Sequence, residues 1–157
     1  MTNNDLLRSL RYALKLNDKQ MLTLFSSHPH SMVVMGPKQL SKRMAGEDDD
    51  EFSPLSDEEL TAFLDGLIVV RRGLKENAAA PVKLEKLSHN DVLKKLRIAL
   101  EFKEQDMLET LEAGGTKLSK SELSAFFRKP SHKHYRKVGN QAMRAFLRGL
   151  PKQGVNT

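Results

Sequence analysis

The chain has 157 residues, 39% of them apolar and 29% charged, the balance of an ordinary folded protein rather than a disordered one. It holds no cysteine, which excludes disulfides, thiol nucleophiles and cysteine-ligated metal centres and accords with a reducing cytosol. The net charge of +6 is unevenly spread: residues 1–80 carry 10 Lys/Arg against 12 Asp/Glu, residues 81–157 carry 16 against 8, and from Lys117 onward ten basic residues face one acid, Glu122. Such an asymmetry points to a polyanion-facing end. The start, Met1-Thr2-Asn3-Asn4-Asp5, is polar, without the apolar run of a secretory signal, and no stretch nears the ~18 apolar residues of a membrane span. The expectation is a cytoplasmic chain with no membrane contact.

The first element is a helix whose apolar face holds Leu7, Leu10 and Leu14, with Asn4 and Asp5 as caps. A second helix starts near Asp18, with Met21, Leu22 and Phe25 on its apolar side, and forms a hairpin with the first. Ser31-Met32-Val33-Val34-Met35 is the one segment with strand character. A third helix opens at Pro37, a residue suited to the first helical position, with Leu40 and Met44 as its apolar positions. The fourth opens with Ser56-Asp57-Glu58-Glu59, a capping box, and runs through Leu60, Phe63, Leu64, Leu67 and Ile68.

The chain then repeats itself. At an offset of 86, Asn4-Asp5-Leu6-Leu7-Arg8-Ser9-Leu10-Arg11-Tyr12-Ala13-Leu14 falls on Asn90-Asp91-Val92-Leu93-Lys94-Lys95-Leu96-Arg97-Ile98-Ala99-Leu100, and Met21-Leu22 on Met107-Leu108. At an offset of 83, Ala62-Phe63-Leu64-Asp65-Gly66-Leu67 falls on Ala145-Phe146-Leu147-Arg148-Gly149-Leu150. The second helix of the second copy begins near Glu104 and buries Met107, Leu108 and Leu111. Its third opens with the capping-box spacing of Ser119 and Glu122 and has Leu123, Phe126 and Phe127 as its apolar positions. Adjacent rings cannot both point straight inward, so either one is exposed or fills the groove between copies or, the favoured reading, both are core on a broad apolar face. Its fourth carries Met143, Phe146, Leu147 and Leu150.

Gly66 and Gly149 share one module position, and a glycine inside a helix costs about 1 kcal/mol relative to alanine. Close approach of another helix is the favoured reason; at Gly149, with Pro151 following, a simple helix end fits as well. The predicted organisation is all-α: two tandem copies of a roughly four-helix module, residues 3–74 and 88–151, packed with approximate two-fold symmetry. A linker spans 75–87 and a flexible tail 152–157.

Asn-Asp-x-Leu-x-x-Leu-Arg-Tyr-Ala-Leu near the start, Ala-Phe-Leu-Asp-Gly-Leu-Ile before the linker and Phe-Phe-Arg-Lys-Pro-x-His-Lys-x-Tyr-Arg late in the chain together resemble the YehS-like bacterial family, over essentially the whole length. That resemblance implies a bacterial cytoplasmic protein with a duplicated domain and no assigned activity, substrate or site residues. One departure stands out: Arg43-Met44 occupies the place where the family leads one to expect a tryptophan-leucine pair.

The sharpest functional signal is the inversion of charge between the loops joining helices three and four. The first copy has Glu47-Asp48-Asp49-Asp50-Glu51-Phe52; the second has Pro130-Ser131-His132-Lys133-His134-Tyr135, flanked by Arg128, Lys129, Arg136 and Lys137. As a nucleic-acid site the second loop would place Arg128, Lys129, Lys133, Arg136 and Lys137 on phosphates and Tyr135 on an exposed base, with Arg144 and Arg148 extending the face. The helix–loop–helix order invites comparison with a helix-turn-helix, but the loop of about ten residues exceeds that motif's 3–4. Alternatively the acidic loop, Glu47, Asp48, Asp49, Asp50 and Glu51, recognises the basic one, within a chain or between chains of a homodimer or adaptor complex. Both loops also fit plain solvated surface.

His28-Pro29-His30 and His132-Lys133-His134 could hold a metal if a third ligand approached, but the pairs occupy non-equivalent module positions and the latter sits in repelling positive charge, so no metal is expected. Gly114-Gly115-Thr116-Lys117 lacks phosphate-loop spacing and reads as a helix end. His89 is assigned a structural place beside a helix cap. With no nucleophile elbow and no carboxylates set across a cleft, neither an enzyme nor a cofactor is expected.

Overall fold

The computed structural model describes residues 1–73 and 86–154, and within these it contains eight α-helices and no strand. They fall into two compact units that divide between Leu87 and Ser88. The first holds α1 (Asn3–Ala13), α2 (Asp18–Ser27), α3 (Pro37–Met44) and α4 (Asp57–Arg72); the second holds α5 (His89–Leu100), α6 (Glu104–Ala113), α7 (Lys120–Phe126) and α8 (Asn140–Gly149). Of the linker read over 75–87, residues 75–85 lie outside the described residues. Leu87 is buried, and its N–H donates to Asp57 Oδ2 at 3.1 Å. Of the tail read over 152–157, Lys152 and Gln153 belong to a 3-10 turn, Pro151–Gln153, and residues 155–157 lie outside the described residues.

Each unit is built around the pairing of its second and fourth helices, α2 with α4 and α6 with α8. Glycine makes this pairing close. A Cβ on Gly66 would fall on the carbonyl oxygen of Leu24, and one on Gly149 on that of Thr110, far inside any tolerable contact. Both glycines therefore serve helix contact, although Gly149 also ends α8. The second unit adds a further close approach, because a Cβ on Gly114, the C-cap of α6, would fall on the Ala145 carbonyl. Around these contacts Leu7, Leu10, Met21, Phe25, Leu60 and Phe63 form the first core, and Leu93, Leu96, Met107, Leu111, Met143 and Phe146 the second. Phe25 and Phe63 pack with ring centroids 5.2 Å apart, a geometry favourable for aromatic pairs.

Several features differ from what the sequence leads one to expect. Asn4 and Asn90 are not caps: Thr2 and Ser88 occupy the N-cap positions, each in a reciprocal box with Asp5 or Asp91, and both asparagines are buried. Residues 31–35 form no strand; Met32 and Val34 stand 85% and 91% exposed. Leu22 and Leu108 are half-buried, because Leu24 and Thr110 take the positions facing the glycines. Phe127 is half-buried and carries the Arg97 guanidinium 4.8 Å above its ring, leaving Phe126 as the core residue of that pair. Arg43, in the place of an expected aromatic, is held in a polar cluster described below.

Candidate functional site

The buried asparagines explain how the two charged loops are carried. Asn4 lies three residues before Leu7 on the inward face of α1. Its Nδ2 donates to the carbonyl oxygens of Arg43 (2.9 Å) and Ser53 (3.0 Å), and its Oδ1 accepts from the Leu55 N–H (2.9 Å). Asn90 repeats this in the second unit: Nδ2 donates to the carbonyls of Phe126 (2.9 Å) and Arg136 (2.8 Å), and Oδ1 accepts from the Val138 N–H (2.9 Å). Each amide thus ties the end of the third helix to the stretch of chain entering the fourth. Three of its hydrogen-bonding sites are satisfied in a setting where an unmet partner would cost about 1–3 kcal/mol.

Between these anchors the loop backbones match bond for bond. Ser53 N–H donates to the Lys42 carbonyl and Arg136 N–H to that of Ala125, both at 3.1 Å, closing each loop at its base. Asp49 N–H donates to Gly46 O and His132 N–H to Lys129 O; Phe52 N–H donates to Asp49 O and Tyr135 N–H to His132 O. Side chains complete the same turn with different chemistry. Asp49 Oδ1 accepts from the Glu51 N–H (2.8 Å), whereas His132 Nδ1 accepts from the His134 N–H (3.0 Å). One scaffold presents two sets of charges.

In the acidic loop Glu47, Asp48, Asp49, Asp50 and Glu51 are all exposed. In the basic loop Lys129, Lys133 and Lys137 are exposed, as are His132 and His134, and so is Arg144 on α8. The remaining candidates have partners. Arg128 Nη1 reaches across its loop to the His134 carbonyl (3.2 Å). Arg136 Nη1 lies 3.5 Å from Glu122 Oε2. Glu122 is held below the ordinary carboxylate range chiefly by the Ser119 N–H, with Arg136 adding to the effect. Arg148 donates through Nε and Nη2 to the Gly114 carbonyl (3.1 and 2.9 Å), satisfying the C-terminus of α6. Tyr135 is half-buried, and burial followed by the nearby Asp91 carboxylate pushes its hydroxyl up. The geometry gathers Arg128, Lys129, Lys133, Tyr135, Arg136 and Lys137 on one loop, while Arg144 and Arg148 belong to α8.

Each histidine pair has ring centroids 5.6 Å apart, with Nδ1 of His28 and of His132 engaged by a backbone N–H two residues on. Among the described residues no group of three His, Cys, Asp or Glu side chains is placed to hold a metal ion. No helix among them is long and apolar enough to cross a membrane.

The asparagine clamp is the element that the sequence reading missed. Its signal was present: Asn4 and Asn90 continue the rows of Leu7 and Leu93 one turn back, at repeat-equivalent positions, so a polar residue recurs on an apolar face.

Two helical repeats, each clamping a charged loop with a buried asparagine, define a duplicated all-α class. The chain belongs to the family described as "Protein of unknown function (DUF1456)", whose model matches twice, over residues 3–73 and 89–154. It is 38% identical over 150 residues to the "Uncharacterized protein YehS" of Escherichia coli (strain K12), an alignment that covers 96% of this chain and 94% of that protein. No solved structure matches it.

Proposed function

We propose that this is a non-catalytic, cytoplasmic binding protein that engages nucleic acid through the basic loop of its second unit. The observation supporting this reading is the set of exposed ammonium groups, Lys129, Lys133 and Lys137, on a loop whose backbone is hydrogen-bonded at both ends. Cations held at fixed spacing suit a repeating row of phosphates, where binding releases counterions and falls steeply with salt. Arg144 extends the surface, and the His132 and His134 rings offer faces for an unstacked base.

A second reading is favoured by the shared backbone pattern of the two loops: the acidic loop of one chain pairs with the basic loop of another, making a homodimer or adaptor contact. One titration separates the two. Labelled duplex and single-stranded DNA and RNA are titrated at low and moderate salt, alongside sedimentation of the protein alone. For Lys133→Glu combined with Lys137→Glu the nucleic-acid reading expects at least a tenfold loss of affinity and a shallower salt dependence. Unchanged affinity, or no binding by the unaltered chain at low salt, removes it. Salt-sensitive self-association abolished by neutralising Asp48, Asp49 and Asp50 would establish loop pairing instead.

A further inference from the structure

We infer that Asn90 is a positioning residue for the basic loop, fixing the spacing of its cations before any polyanion arrives; this rests on the polyanion reading of that loop. Asn90 is not required to start its helix, because Ser88 and Asp91 already form a complete capping box there. Its amide is instead spent on the loop, holding the carbonyl where the chain leaves α7, the carbonyl of Arg136 and the N–H of Val138. Besides Asn90, the base of the loop is held by the Arg136 N–H on the Ala125 carbonyl and by Arg136 beside Glu122; from Lys129 to Tyr135 the contacts are short-range, two turns meeting at His132 and the Arg128 guanidinium on the His134 carbonyl. Local turns of this kind open readily in water, and the Asn90 amide is the buried side chain that bonds the backbone on both sides of them, so it holds the loop as one arch rather than a family of them. An arch ordered during folding does not have to be ordered on binding, and that saving appears as affinity. Asparagine suits the task because it brings two donors and an acceptor without charge. Aspartate would set a carboxylate against two carbonyls, and alanine would leave all three backbone groups unmet.

The repeat supplies the control. Asn4 is likewise buried and makes the equivalent three bonds, but it carries the acidic loop. In the full chain, Asn90→Ala, the milder Asn90→Ser and Asn4→Ala are compared for affinity to labelled RNA and DNA across a salt series, with amide exchange read at His132, His134 and Tyr135. Asn90→Ala is expected to speed exchange at those amides, to weaken binding about tenfold and to make the salt slope shallower by about 0.9 for each phosphate that is no longer neutralised. Asn90→Ser shows the same effects in smaller measure and carries the test if the alanine variant does not fold. Asn4→Ala, at a comparable loss of stability, is expected to bind within about twofold of the unaltered chain. Unchanged binding by both Asn90 variants, or equal weakening by Asn4→Ala, overturns the positioning role while leaving the polyanion reading standing. An unaltered chain that binds neither nucleic acid at low salt overturns the polyanion reading, and the positioning role falls with it.

Discussion

The two units hold the same loop backbone by different physics. In the first, the shoulder beneath the loop is polar: Arg43 donates through Nε and Nη2 to Glu59 (3.2 and 3.0 Å) and through Nη1 to Ser53 (3.0 Å), and Glu59 closes a capping box with Ser56. In the second, the residues 83 positions on are Phe126, Ala142, Arg136 and Gly139, so a buried ring replaces the ion pair and the cap has no side chain. The polar group differs as a set. A guanidinium left beside Ala142 would lie half-desolvated without its carboxylate, an arrangement that costs more than either complete solution. The difference teaches that the loop's shape is determined by the asparagine and the turns, which both units keep, and not by the shoulder, which they do not share.

The largest expected effect tests what the units have in common. Gly66→Ala and Gly149→Ala each drive a methyl group into a backbone carbonyl of the facing helix, which no side-chain rotation relieves. Each is expected to cost about 3 kcal/mol or more in urea unfolding followed by helical circular dichroism. A loss below about 1 kcal/mol at either site, within ordinary helix propensity, would mean that the helices do not approach as described.

A smaller effect tests the polar shoulder of the first unit by pH. Burial pushes the Glu59 carboxyl up, but the Arg43 guanidinium and the Ser56 N–H more than offset it and leave it below the ordinary value of 4.5. A depressed folded-state value means that the contribution is present above the unfolded-state value and is lost as pH falls through the folded one. Asp5 is depressed as well, first by the Thr2 N–H, so acid loosens the first unit on two counts. Glu59→Gln should be less stable than the unaltered chain at neutral pH, with the gap narrowing as pH falls below about 4.5. Its size is under about 1 kcal/mol, because the pair is partly solvated. Parallel pH profiles for the two proteins would rule out the Arg43–Glu59 contribution.

The smallest effect restores a missing cap. Gly139 occupies the N-cap of α8 with extended backbone and open space where a Cβ would stand, and it makes no side-chain cap bond. Gly139→Ser, which reinstates the residue found at Ser56, is expected to stabilise the second unit by a few tenths of a kcal/mol. A destabilised variant would show that the glycine is kept for another reason.

Much of the fold was legible in the sequence. The capping boxes at Ser56 and Ser119, the proline at the start of α3 and the two offsets placed helices whose structural bounds start at the residues named or one position later. Those signals are local and repeat twice, which is why they read clearly. Burial depending on a distant partner was less readable. Phe127 looks apolar in sequence, but its face is taken by Arg97 from another helix. The strand-like run at 31–35 has β-branched residues but no neighbouring strand among the described residues to pair with, so propensity alone yields an exposed connection. At the candidate site the charge inversion was visible, but the assignment of Arg148 to the Gly114 carbonyl was not, because the two lie 34 residues apart.

The asparagine clamp also bears on how such a protein diversifies. Because both anchors of each loop are backbone groups, the residues between them are free to change identity without renegotiating the fold, and the loop behaves as an interchangeable cartridge seated in a fixed socket. Substitution inside one cartridge leaves the surface of the other intact. The opposite charges of residues 47–51 and 130–134 are the kind of outcome such a socket permits.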